Sequence, residues 1–155
     1  MSIDRRLGIG ETVTLGSHTF GAEEIKAFAR KYDPQRFHVD EEEARNSVFK
    51  ALCASGWHTI SMWMKYNAAT FAATVERSKE FGDPVEFGPA AGLRELKWLK
   101  PVYAGDTITF TRTPQSHRAL ASRPGWRMLT TRNEAFNQHG EQVMSFVTMV
   151  LMKVG

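Results

Sequence analysis

The stretch ALCASGWHTISMWMKYNAATFAATV, residues 51–75, carries Leu52, Trp57, Ile60, Met62, Trp63, Met64, Tyr66, Phe71 and Val75 and leaves no clean polar face. A helix that is apolar nearly all round is buried. It is therefore expected at the centre of the molecule, starting at Ser55-Gly56 and holding no acidic side chain before Glu76. Its longest uncharged run, residues 51–64, is 14 residues long and ends at Lys65, too short to cross a bilayer.

The chain beyond this helix must wrap it. Residues 76–89 are charged and end in the turn formers Gly82-Asp83-Pro84 and Gly88-Pro89, which predicts an exposed helical tail and then a loop. Residues 92–100 alternate, with Leu96 and Trp98 on one face and Glu95 and Lys97 on the other. Pro101 and Gly105-Asp106 precede a strand at 107–111, and Trp126–Phe136 and residues 142–152 read as a hairpin joined across Asn137-Gln138-His139-Gly140. In the last strand Met144, Phe146, Val150 and Met152 fall on one face and Val147, Met149 and Leu151 on the other. Both faces then need cover. The long helix supplies one, and a second subunit is expected over the other, giving a homodimer or a dimer of such dimers.

Upstream, Thr12-Val13-Thr14-Leu15 reads as a short strand that turns at Gly16 and returns through Thr19-Phe20. Ile25, Phe28, Ala29 and Tyr32 recur at helical spacing across Ala22–Tyr32, with Glu23 and Glu24 at the positive N-terminal end. Pro34 stops this helix and leaves Asp33 on irregular backbone. Asp40 is placed to cap a short turn through Glu41-Glu42-Glu43-Ala44. The fold class is α+β, an antiparallel sheet around a long central helix, in one domain spanning 1–155.

Composition narrows the function. At 155 residues with 42% hydrophobic and 24% charged side chains the chain is globular, not disordered. A net charge of +3 without a basic stripe does not point to nucleic acid. Cys53 stands alone, so no internal disulfide is possible, and no apolar run follows the N-terminal arginines, so no secretory leader is expected. These readings place the protein in the cytoplasm, away from membranes.

Asp33-Pro34-Gln35-Arg36-Phe37-His38 brings a carboxylate and an imidazole within five positions on a loop, where both can converge on one point. The pair suits general acid–base work, since imidazole exchanges a proton near neutral pH. Residue type alone leaves open that Asp33 caps a turn and His38 is a packing residue. Ser55-Gly56-Trp57-His58-Thr59 opens the central helix, where first-turn N–H groups lack intrahelical partners. A glycine there admits a carbonyl oxygen close to the backbone, the usual construction of an oxyanion hole, while simple capping by Ser55 remains the alternative. Cys53 with His58 does not read as a thiol nucleophile, because a lone cysteine in an apolar run is ordinarily a small buried hydrophobe. Ser55 lacks the Gly-x-Ser-x-Gly elbow. His18, His38, His58, His117 and His139 have no metal-ligand spacing, so no metal is expected. No glycine-rich phosphate loop or dinucleotide fingerprint is present, so no separate cofactor is expected.

The stretches 28–40, FARKYDPQRFHVD, 54–59, ASGWHT, and 92–102, GLRELKWLKPV, with Gly105-Asp106 after it, resemble the MaoC-like dehydratases of the hot-dog fold, whose best-known enzymes are the (R)-specific enoyl-CoA hydratases. The resemblance implies a catalytic Asp33 and His38, and a Gly56 amide, 18 positions after the histidine, that binds a thioester carbonyl. It departs from the family pattern where Pro34 follows Asp33 directly and the family's asparagine has no counterpart. It further implies an acyl-CoA substrate hydrated at a trans-2 double bond, or the reverse dehydration, with CoA part of the substrate. Ser55 and Trp57 are then candidates for substrate contact, Trp57, Met62 and Trp63 for an acyl pocket or the core, and Arg36, Lys97 and Lys100 for the CoA phosphates. Hot-dog thioesterases commonly carry an acidic residue on the central helix, and residues 51–75 have none. Hydrolysis is thereby disfavoured, and a non-catalytic acyl-CoA-binding protein is the third alternative.

Overall fold

The computed structural model describes residues 2–80, 82 and 85–154. Its framework is a five-stranded antiparallel sheet laid against one long helix. The strands are β1 (Val13–Thr19), β2 (Val85–Trp98), β3 (Thr107–Ala119), β4 (Trp126–Phe136) and β5 (Gln142–Val154), in the order β1-β3-β4-β5-β2. The helices are α1 (Ile3–Leu7), α2 (Ala22–Tyr32), α3 (Arg36–Val39), α4 (Glu41–Arg45) and α5 (Gly56–Lys79). No helix among the described residues is long and apolar enough to cross a membrane.

The hairpin of β4 and β5 turns where Asn137 and Gly140 were expected to turn it, with Gly140 at φ +75°. The inner face of the sheet presents Phe110, Ala135, Met144 and Phe146, all at most 2% exposed, to Trp63 of α5. Trp63 meets Phe146 edge to face at 4.8 Å, and its indole N–H donates to the Thr111 carbonyl at 3.3 Å. Burying each of Phe110, Met144 and Phe146 contributes roughly 1.5–3 kcal/mol. Ile25 and Ala29 of α2 are likewise fully buried, but Tyr32, the last member of that stripe, is exposed.

Four expectations change. α5 buries one face only, through His58, Thr59, Trp63 and Asn67; Trp57 and Met64 lie on its open side, each at least half exposed. The apolar stretch reads as buried because its second face, open in the single chain, is apolar too. Gly16 does not turn the chain: β1 runs straight through, shifting register between Thr14 and Gly16, where the Tyr66 ring packs so closely that a Cβ would sit 2.6 Å from its Cδ1. β2 begins at Val85, upstream of the expected strand, and takes Gly88-Pro89 into its body. An edge strand tolerates proline, whose missing N–H removes no ladder bond on the open side. The Asp83-Pro84 turn falls outside the described residues. Finally, His38 lies on the single turn α3, not on a loop.

Candidate active site

Asp33 ends α2, its backbone N–H bonded to the Ala29 carbonyl at 2.8 Å and its φ/ψ of −154°/69° carrying the chain out of the helix, as Pro34 requires. Two residues on, Gln35 caps α3, which holds His38 on its inner side, 6% exposed. Asp40 caps α4 by accepting from the Glu43 amide at 2.9 Å, the cap expected of it. The segment 52–54 is clamped by backbone bonds to Phe37, Val102 and Ala104, which sets the start of α5 beside α3. His58 in the first turn of α5 completes the alignment. Its Nε2 lies 3.0 Å from Glu24 Oε1 on α2, the same oxygen that meets His18 Nε2 at 2.6 Å, and Phe28 stacks on its ring at 4.5 Å. Burial lowers the His58 pKa, partly offset by Glu24, and favours the neutral ring.

His38 Nε2 and Asp33 Oδ2 face one another at 3.6 Å. The other ring nitrogen, Nδ1, is 2.6 Å from the Cys53 carbonyl oxygen, which can only accept, so Nδ1 carries a hydrogen and in the neutral ring Nε2 presents its lone pair. Asp33 receives the Ser55 hydroxyl on Oδ2 and the Gln35 amide on Oδ1, each at 2.7 Å. Burial alone would raise the Asp33 pKa, but these two bonds hold it below the ordinary carboxylate range. With His38 neutral, the result is an ionised carboxylate beside an imidazole lone pair, two acceptors 3.6 Å apart on one cavity wall. A water placed there has two hydrogens to give and finds an acceptor for each.

Asp33, His38, Gly56, Trp57 and Lys100 line one cavity of about 500 Å³, together with Cys53, Thr59 and Trp98. Ser55 caps α5 through the Trp57 amide at 3.3 Å while its hydroxyl reaches Asp33, so it touches the site through the carboxylate and does not line the cavity. The Gly56 amide, in the first turn of α5, bonds to no acceptor among the described residues. The glycine has a second cause: the Trp98 indole lies on it, and a Cβ there would be 2.2 Å from Trp98 Cε2.

The other sequence candidates are placed differently from expectation. Arg36 pairs with Glu43 at 3.3 Å and does not line the cavity. Lys97 is exposed on β2, outside the lining, and Lys100 pairs with Glu141. Met62 and Trp63 belong to the core, and Trp57 is 54% exposed at the cavity instead of buried. The Cys53 thiol does lie near a histidine, 3.7 Å from His38 Nδ1, but burial pushes its pKa up to about 11, so it carries no thiolate at neutral pH. Sequence reading missed Gln35 and the Cys53 carbonyl. Gln35 sat in the motif as a spare side-chain amide two residues from Asp33, a legible signal; the carbonyl had none.

A model of the FAS1-like, dehydratase domain region matches residues 8–146. The chain is 33% identical to a MaoC-like dehydratase from Rhodospirillum rubrum, covering 95% of this chain and 93% of that one with a TM-score of 0.77. It shares its fold with the (R)-hydratase from A. caviae involved in PHA biosynthesis, at 23% identity, 95% and 96% coverage and a TM-score of 0.58. The uncharacterized protein YdeM of Bacillus subtilis (strain 168) is 29% identical over 145 residues, 94% of each chain. The helix wrapped by an antiparallel sheet is the hot-dog fold of these neighbours.

Proposed function

The chain belongs to the MaoC-like dehydratases, a hydratase/dehydratase family, and from that premise we propose that it hydrates trans-2-enoyl-CoA thioesters to 3-hydroxyacyl-CoA, or catalyses the reverse dehydration. The observation that carries the reading is the 3.6 Å approach of Asp33 Oδ2 and His38 Nε2 in a cavity that Gly56 also lines. Water held by both groups attacks C3 of the enoyl group. As its oxygen bonds to C3, one O–H bond breaks and the proton passes to the Asp33–His38 pair. The π electrons shift through C2 to the thioester oxygen, whose developing charge the Gly56 N–H accommodates. The pair then returns the proton to C2, so the balance is one water added. An amide preorganised in a site closed to bulk water serves such a charge best, and losing one donor of this kind costs about 100- to 1000-fold in rate. Trp57 flanks the acyl group, and Lys100, released from Glu141, meets a CoA phosphate at the cavity mouth.

The test is crotonyl-CoA with the full chain, following enoyl absorbance and free thiol together. Loss of enoyl absorbance without thiol release is expected. Thiol release without hydration would replace the reading with a thioesterase, and tight binding with neither change would replace it with an acyl-CoA-binding protein.

A further inference from the structure

A second cavity, of about 280 Å³, lies between α5 and the inner face of the sheet and shares no lining residue with the Asp33–His38 cavity. Thr59 lines one and Trp63, a turn further along α5, lines the other. Its walls are mainly apolar, from Phe71, Leu129 and Val150, yet Arg112 of β3 enters them with its guanidinium largely buried. No carboxylate pairs with Arg112 among the described residues. Its partners are neutral: Asn67 Oδ1 at 2.6 Å, Thr70 Oγ1 at 3.1 Å and Thr74 Oγ1 at 3.4 Å. Those three bonds leave two of a guanidinium's five N–H donors over. No acidic side chain among the described residues neutralises this charge, and a buried guanidinium is stabilised by an anion.

An independent observation stands opposite. Asn133 of β4 is the direct cross-strand partner of Arg112, so both side chains project from the same face about 5 Å apart at Cβ. Asn133 is fully buried, and its amide N–H₂ donates to the Thr131 carbonyl at 3.3 Å and to Thr148 Oγ1 at 3.1 Å. The carbonyl can only accept, which fixes the orientation of the amide and leaves Asn133 Oδ1 in the cavity wall without a donor. Arg5, Arg6 and Arg77 also line the cavity, with Glu11 the one acid among the described lining residues.

We propose that this cavity binds a small hydroxy-carboxylic acid, its carboxylate on Arg112, its hydroxyl donating to Asn133 Oδ1 and its hydrocarbon body against Phe71, Leu129 and Val150. The adjacency of the two polar groups requires acid and hydroxyl to lie within a few bonds of each other. The site is separate from the proposed hydration chemistry and stands whether or not that reading holds.

Calorimetric titration with 3-hydroxyhexanoate tests it, beside 3-hydroxyhexanamide, which lacks the charge, and hexanoate, which lacks the hydroxyl. The acid is expected to bind at least about tenfold more tightly than the amide and several-fold more tightly than hexanoate, a tenfold step being one decade in Kd. Arg112→Gln removes the preference for acid over amide, Arg112→Lys keeps part of it, and Asn133→Leu makes 3-hydroxyhexanoate and hexanoate equivalent. Asp33→Asn leaves all affinities unchanged. The three wild-type titrations need no variant to fold. Equal binding of acid and amide, no binding of the acid at millimolar concentration, or loss of binding in Asp33→Asn would overturn the proposal.

Discussion

Ser55 ties two functions to one hydroxyl: its oxygen accepts the Trp57 amide that starts α5, and its hydrogen goes to Asp33. That bond, with the one from Gln35, keeps the Asp33 carboxyl ionised to lower pH than an ordinary carboxylate. For a group with a depressed folded pKa, the dependent property is present above the ordinary value and lost as pH falls through the folded one. Ser55→Ala is therefore expected to move the acid limb of the kcat/KM–pH profile for crotonyl-CoA to higher pH, toward the ordinary carboxylate range; Gln35→Leu shifts it the same way. An unmoved limb would detach Asp33 from the titration that governs rate. Asp33, His38, Ser55 and Gly56 were legible from the sequence because each belongs to a local pattern, a broken helix end or a helix start. The Cys53 carbonyl that fixes the His38 tautomer was not legible. It depends on the Cys53 amide donating to the Phe37 carbonyl and the Ala54 amide to the Val102 carbonyl, bonds that join segments far apart in sequence.

At the level of elements, α5 and β2 meet at one crowded point, where Trp98 covers the Gly56 backbone. A methyl group there must displace the indole, and overpacking of this kind costs about 1–3 kcal/mol. Gly56→Ala is expected to lower Tm by several degrees, at roughly 2–4 °C per kcal/mol for a chain of this size, as followed by circular dichroism. Trp98→Ala introduced into Gly56→Ala relieves the clash, so the pair is less destabilised than the two single effects summed. Strict additivity would mean that the two residues do not meet. The β4–β5 hairpin, α2 and α4 were legible because alternation, helical spacing and capping are local signals. The start of β2 was hidden: Gly88-Pro89 has the chemistry of a turn, and only its place at the sheet edge, with the Trp126 ring against Gly88, makes it strand.

For the molecule as a whole, β5 was expected to need a second subunit over its outer face. The structure revises where such a need arises. Val147 is already buried within the chain, Met149 and Leu151 are half-buried, and the β1–β3 side of that face is polar, with hydroxyl pairs Thr12–Thr113, Ser17–Thr109 and Thr19–Thr107 at 2.8 Å. Trp57, Met64, Trp98 and Leu99 are among the large apolar side chains left open, and three of them also line the proposed hydration cavity. Sedimentation equilibrium at micromolar concentration is expected to give a homodimer, and Trp57→Glu, placing a charge on that surface, to weaken it at least tenfold, about 1.4 kcal/mol. A wild-type monomer would contradict this. The elements around the cavity hold Asp33 and His38 3.6 Å apart, close enough for one water beside them to reach both, and kinetics on the paired variants tests most directly whether they act together. In steady-state hydration of crotonyl-CoA, Asp33→Asn and His38→Gln should each lower kcat/KM at least about 100-fold, and the double variant should fall little further, because groups acting as a unit are not additive. Either single variant retaining wild-type turnover with its fold intact would contradict the account.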